Sequence, residues 1–148
     1  MIQIKKIIGS GFYTGFFPKA PGTFASLIAV FFYLIPGFEN PYFLISIIII
    51  STLIGIPIGT FFEKTFGKDP QIFTLDEFIG TWISLLFIPK VYYFIIPTFI
   101  IWRILDILKP YPANISENLN GGLGIILDDI ISGMYSLLIM HIFISIFF

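Results

Sequence analysis

The sequence has no cysteine, a single histidine and little charge, with only 11% of its 148 residues Asp, Glu, Lys or Arg. Each scarcity closes off a chemistry. Without cysteine there is no disulfide, no zinc-thiolate centre and no thiol nucleophile. The one histidine, His141, lies inside the last apolar stretch, away from the other polar residues. A phosphohistidine route or a Ser-His-Asp triad therefore has no support, and His141 reads as a packing residue. The formal net charge is −1, and no run of like charges exceeds two residues, which argues against a nucleic-acid partner. The start, Met1 to Lys6, is cationic but runs into glycines, aromatics and prolines instead of an apolar core with a small-residue cleavage site. It is read as uncleaved.

What is abundant is apolar. Hydrophobic residues make up 57% of the chain and the mean hydropathy is +0.97, a composition that belongs in a bilayer. Apolar stretches at 24–35, 41–62, 78–88, 92–108 and 130–148 predict an all-α, polytopic membrane bundle of about five short helices. The second and fifth stretches can span a hydrocarbon core of about 30 Å at 1.5 Å per residue, whereas the first and third, at roughly 18 Å, cannot. The runs are continuous, without the in-out alternation of barrel strands, and an open sheet would leave backbone unpaired in lipid. Length leaves room for one domain, residues 1–148, so any chemistry must sit on the membrane unit itself.

Placing the N-terminus inside puts Lys5, Lys6, Lys19, Lys64, Lys68, Arg103 and Lys109 on the cytoplasmic side and only Lys90 outside. The polar segments 18–23, 63–77, 103–110 and 117–129 then converge on one membrane face, while the loops at 36–40 and 89–91 hold almost nothing reactive. Pro57 and Pro97 inside helices, and the small pair Gly55 and Gly59, read as packing features.

Four segments carry candidate chemistry. Asp76 and Glu77 stand at the entrance of a helix too short to span, where acids are costly unless paired or metal-bound. A capping box, Thr74-x-x-Glu77, is the structural alternative. Arg103, Asp106 and Lys109 fall at i, i+3 and i+6, one helical sector facing a common polar space. Their structural alternative is an ion-pair ladder, a small return for charges beside a membrane helix. Asp128 and Asp129 follow the glycine-rich stretch Gly121-Gly-Leu-Gly124, just before the last helix, and adjacent acids repel unless a cation is present. Pro18-Lys19-Ala-Pro-Gly-Thr23 leads into the first helix, with Thr23 as a cap, its neighbouring backbone N–H groups open to a phosphate, and Lys19 as added charge, although taken alone such a proline-glycine turn before a helix reads as structural. Glu63 and Asp69 are read as structural. Hard oxygen ligands beside basic groups suit Mg²⁺ and a phosphate ester.

Taken in order, Pro18-Lys-Ala-Pro-Gly-Thr23 with Ser26, Lys68-Asp-Pro70 with Asp76-Glu77 and Gly80, Arg103-x-x-Asp106-x-x-Lys109-Pro110, and Gly121-Gly-Leu-Gly-Ile125 with Asp128-Asp129 and Gly133 resemble the phosphatidylglycerophosphatase A family over nearly the whole chain. The resemblance implies a bacterial lipid phosphatase of the cytoplasmic membrane, active site facing the cytoplasm, that hydrolyses phosphatidylglycerophosphate to phosphatidylglycerol and phosphate with Mg²⁺. Dividing the matched positions by their chemistry, we read Asp76, Asp106, Asp128 and Asp129 as metal ligands and Glu77 as general base or a further ligand. Glu77, Asp76 and Asp128 are catalytic, and Lys19, Thr23, Arg103 and Lys109 bind the substrate phosphate. Rival readings are a phosphatase for another lipid phosphate, a CDP-alcohol transferase, whose longer D-x-x-D-G array is missing, and a small cation transporter.

Overall fold

In a computed structural model, which describes residues 2–148, the chain is all-helical, with no strand among the described residues. Seven α-helices follow one another: α1 (Ile2–Gly9), α2 (Pro21–Leu34), α3 (Pro41–Phe66), α4 (Leu75–Ser84), α5 (Tyr92–Leu108), α6 (Ala113–Ser116) and α7 (Gly122–Phe147), with a 3-10 turn at Thr14–Phe16. The five expected stretches correspond to α2, α3, α4, α5 and α7. Two short helices, α1 and α6, add to the expected count of five. The last helix begins at Gly122 instead of residue 130, so Asp128 and Asp129 lie inside it.

Helices α3 and α7 are the two candidate membrane spans, each 26 residues long. Asn40 starts α3, its side chain accepting from the N–H of Tyr42 at 3.0 Å, and Pro41 takes the first helical position, where a missing N–H costs nothing. Both helices turn large apolar side chains outward, among them Ile49, Ile50 and Leu53 on α3 and Leu138, Ile142 and Ile146 on α7. Such a surface is what lipid tails accept.

The short α4 lies at the centre, packed against α2, α3, α5 and α7. Every residue of it except Glu77 is buried. Enclosure by longer helices explains how a ten-residue helix, too short to span, can be buried along almost its whole length. Close packing here depends on missing side chains: a Cβ at Gly80 would run into the Trp102 ring, and one at Gly133 would lie 2.7 Å from the Gly80 carbonyl. Gly59 and Gly122 let α3 and α7 approach backbone to backbone, so the small pair Gly55 and Gly59 packs on α7 and α4. Two large buried side chains with a polar tip find partners on neighbouring elements. Trp82 donates to the carbonyl of Ala29 at 3.1 Å, and Tyr33 to that of Ile88 at 2.8 Å. His141 meets the carbonyl of Leu137 in its own helix at 2.9 Å, apart from any acid.

Candidate active site

The first turns of α2 and α4 and the second turn of α7 meet the C-terminal end of α5 at one end of the bundle. They surround a cleft of about 410 Å³ lined by Gly22, Thr23, Asp69, Asp76, Glu77, Arg103, Asp106, Lys109, Asp128 and Asp129. The two helix starts that line it, those of α2 and α4, favour an anion there through their free N–H groups. A cleft so rich in carboxylates also demands cations.

Arg103 supplies part of that demand. It forms a salt bridge with Glu77, pairs with Asp106 Oδ2 at 2.9 Å, and reaches Ser26 Oγ at 3.3 Å and Thr23 Oγ1 at 3.4 Å. Ser26 donates to Glu77 Oε2 at 3.0 Å. Glu77 is therefore committed to the cleft and not to a capping box, since Thr74 makes no side-chain cap bond and instead shares a hydrogen bond of 3.0 Å with Thr14. Gly22 has to be glycine for this arrangement, because a Cβ would overlap the Glu77 carboxylate.

Lys109 serves the other side. It follows the last turn of α5 in a left-handed conformation (φ 45°), so it leaves the helical sector expected from its spacing and is not a rung of a ladder. Its Nζ lies 2.6 Å from Asp128 Oδ2 and 3.8 Å from Asp69, and forms a salt bridge with Glu117. Burial alone would lower the Lys109 pKa, but the Asp128 and Glu117 carboxylates win and push it up. Burial raises the Asp69 carboxyl, with Lys109 opposing.

Among the described residues, one set of three acids lies close enough to hold a metal ion: Glu77, Asp106 and Asp129, with ligand oxygens within 4.8 Å of one another. Asp129 Oδ2, Asp128 Oδ1 and Arg103 Nε are buried and have no hydrogen-bond partner. Orphaned carboxylate oxygens beside converging acids fit a hard divalent cation, and an orphaned guanidinium N–H fits an anion.

The other expected residues fall as follows. Asp76 lines the cleft, and its Oδ1 accepts from the Glu77 N–H at 2.9 Å. Asp128, beside Lys109, stands outside the converging triad. Thr23 lies in the first turn of α2 instead of capping it; the cap position belongs to Ala20, in a left-handed conformation, with Pro21 next. Lys19 is exposed before that helix and makes no ion pair among the described residues. Asp69, read as structural, contributes to the cleft, while Glu63 lies in a neighbouring cleft with one buried, unpartnered oxygen. Sequence reading missed Glu117, an isolated acid with no motif around it, and gave no role to Ser26.

The profile of the family described as Phosphatidylglycerophosphatase A matches residues 7–144. Curated relatives include a Bacteroides thetaiotaomicron protein that carries the provisional name phosphatidylinositol-3-phosphatase, 34% identical over 92% of this chain and 91% of its own. The Escherichia coli protein named Phosphatidylglycerophosphatase A is 35% identical over 91% of this chain and 80% of its own. Its Haemophilus influenzae namesake is 30% identical over 90% and 85%. No solved structure matches the chain.

Proposed function

The chain belongs to the phosphatidylglycerophosphatase A family and is a phosphatase, and from that premise we propose that it hydrolyses phosphatidylglycerophosphate to phosphatidylglycerol and phosphate, with Mg²⁺, at the cytoplasmic face of a bacterial membrane. The observation that carries the chemistry is the convergence of Glu77, Asp106 and Asp129 beneath Arg103. These three acids would hold the cation, with Asp76 and Asp128 completing the acidic wall. When bound, Mg²⁺ would neutralise charge on the phosphate and lower the pKa of a water at the site.

The chain's own residues do the rest. Arg103 is the group for the phosphate, because its Nη1 already bridges Glu77 and Asp106 and its Nε has no partner and can donate to an oxygen. The first turn of α2, at Gly22 and Thr23, adds backbone N–H groups on the same wall. Glu77, hydrogen-bonded by Ser26, is positioned to take a proton from the attacking water. Lys109 holds Asp128 in place and contributes positive charge as the phosphate gathers charge in transit. Lys19 lies close by in sequence and would draw the anionic headgroup toward the mouth. Lys5, Lys6, Lys64 and Lys68 share that end of the bundle, which supports a cytoplasmic cleft.

A second substrate reading, a phosphoinositide carrying a 3-phosphate, is favoured by the name of the Bacteroides relative. The test is phosphate release by detergent-purified protein from each lipid and from a soluble phosphomonoester, with and without Mg²⁺, beside Asp128→Asn. The expected result is release from phosphatidylglycerophosphate that needs both metal and Asp128. Faster release from the inositol lipid would move the assignment to the second reading. Full activity of Asp128→Asn would remove Asp128 from the site, and ion flux without hydrolysis would replace the enzyme with a transporter.

A further inference from the structure

We infer that the segment from α1 through the turn at Thr14–Phe16 is a membrane-docking shelf, which sets its aromatic side chains into the headgroup layer of an anionic leaflet beside the cleft mouth. The inference rests on the bilayer placement proposed above but not on its chemistry.

The shelf holds aromatic rings on the flank of the bundle, where Phe12 stacks on Phe32 and Phe17 on Phe24 of α2 and their outer faces stay open. Gly11, Phe12 and Tyr13 take left-handed backbone conformations in succession (φ 52°, 57° and 68°). That region is disfavoured for side chains with a Cβ, and most of all for bulky ones. The turn is nonetheless fixed from below. Tyr13 N–H donates to Ser10 Oγ at 3.1 Å, and Thr14 Oγ1 bonds the Ser10 carbonyl at 3.1 Å. Gly15 sits so close to the Ile72 carbonyl that a Cβ could not enter. The result is that Phe12 is 66% exposed, with Phe16 at 51% and Tyr13 and Phe17 close to half exposed. Ile2 and Ile4 on α1 are likewise turned out. In water such a conformation would spend backbone strain to expose apolar rings. At a bilayer interface it places aromatic groups where they are favoured.

Charge and position narrow the occupant to an anionic lipid surface. Lys5, Lys6 and Lys19 flank the rings, and none pairs with a carboxylate among the described residues. Lys5 rests its ammonium over the Phe61 ring, 4.7 Å from the centroid, at the end of α3 nearest the cleft. The shelf is tied directly to the loop that delivers Asp76 and Glu77: Thr74 N–H donates to the Gly9 carbonyl at 2.9 Å, and Thr14 bonds Thr74. Downstream, the chain passes from Phe17 within a few residues to Ala20 and Pro21 in the cleft wall. A shelf seated in the leaflet would therefore fix the height of the cleft relative to lipid phosphates.

The absence of native cysteine makes the test direct. The full chain carrying Phe12→Cys or Phe16→Cys, spin-labelled and reconstituted in vesicles of phosphatidylcholine with phosphatidylglycerol, is compared with Asn118→Cys as an aqueous reference and Ile142→Cys as a lipid reference. The expected result is collision with a water-soluble nickel chelate several-fold lower than at position 118, and collision with oxygen between the two references. Nickel collision equal to that at position 118 for both labels overturns the shelf. Dipolar broadening between labels would assign the face to a second copy and overturn it as well. In pure phosphatidylcholine the labels should move toward water, and an unchanged depth removes the lysines from the inference. Because the readout is depth, the shelf can fail while the phosphatase reading stands, and the reverse.

Discussion

Between the loops at residues 35–40 and 85–91, Lys90 meets Glu39 at 2.9 Å and also donates to the Ile35 carbonyl at 3.0 Å. At the opposite end, Arg103 and Lys109 face Asp69, Asp76, Glu77, Asp106, Asp128 and Asp129 in one cleft. The first arrangement is one acid for one base, open to solvent, and functions as a fastening between two loops. The second has far more acid than base and leaves Asp128 Oδ1 and Asp129 Oδ2 without partners. A balanced pair closes on itself. An unbalanced buried cluster lowers stability unless something else brings positive charge, and so it marks the end of the molecule built for a ligand.

Three substitutions would break or sharpen that contrast. The largest effect is expected from Asp129→Asn, which removes one of three converging carboxylates: turnover of the lipid should fall by roughly 10²–10³-fold. In metal-free buffer the same variant should melt no lower than the parent, because it relieves an uncompensated buried charge. A large drop in melting temperature would show instead that Asp129 is structural. Next comes Gly80→Val, which drives a side chain into the Trp102 ring behind the cleft and should cost about 1–3 kcal/mol of stability, read by thermal melting in detergent. Its activity should fall only as far as the folded fraction does.

The smallest effect belongs to the far end. Glu39→Gln should leave turnover unchanged and lower stability slightly. The hydrogen bond to Lys90 depresses the Glu39 carboxyl below its usual range, so the pair contributes above the ordinary carboxylate pKa and its contribution fades as pH falls through the depressed value. Melting curves of parent and variant should accordingly converge on acidification. Curves that stay apart at low pH would assign the difference to something other than the ion pair.

Much of this arrangement was legible in the residues. The helix 92–108 was readable to the residue, because apolar run and charge boundaries coincide. The gathering of the acidic segments at one end followed from where the charges fall between apolar stretches. The start of α7 was not readable, since Gly121 to Gly124 looks like a turn; Gly121 only caps the helix, with φ 78°, Gly122 and Gly124 are helical, and the missing side chains of Gly121 and Gly122 serve the approach of α3. Lys109 could not be placed because a single left-handed residue redirects it from one side of the cleft to the other. Glu117 carries no local pattern, and only the three-dimensional meeting with Lys109 gives it a role. Helix α1 was hidden by its shortness.

Asp128 and Asp129 are neighbours in the chain with different company, one turned toward Lys109 and Glu117, the other toward Glu77 and Asp106. Successive positions on a helix are separated by about 100° of rotation, and here the phase is set upstream where Gly122 is locked against the backbone of α3. Loss of one residue between Gly122 and Asp128 would therefore rotate the pair as a unit, swinging the second acid toward the place of the first and leaving the triad a ligand short. The chain can vary which apolar side chains face the lipid along this helix, but it cannot change how many residues stand between the glycine contact and the acids.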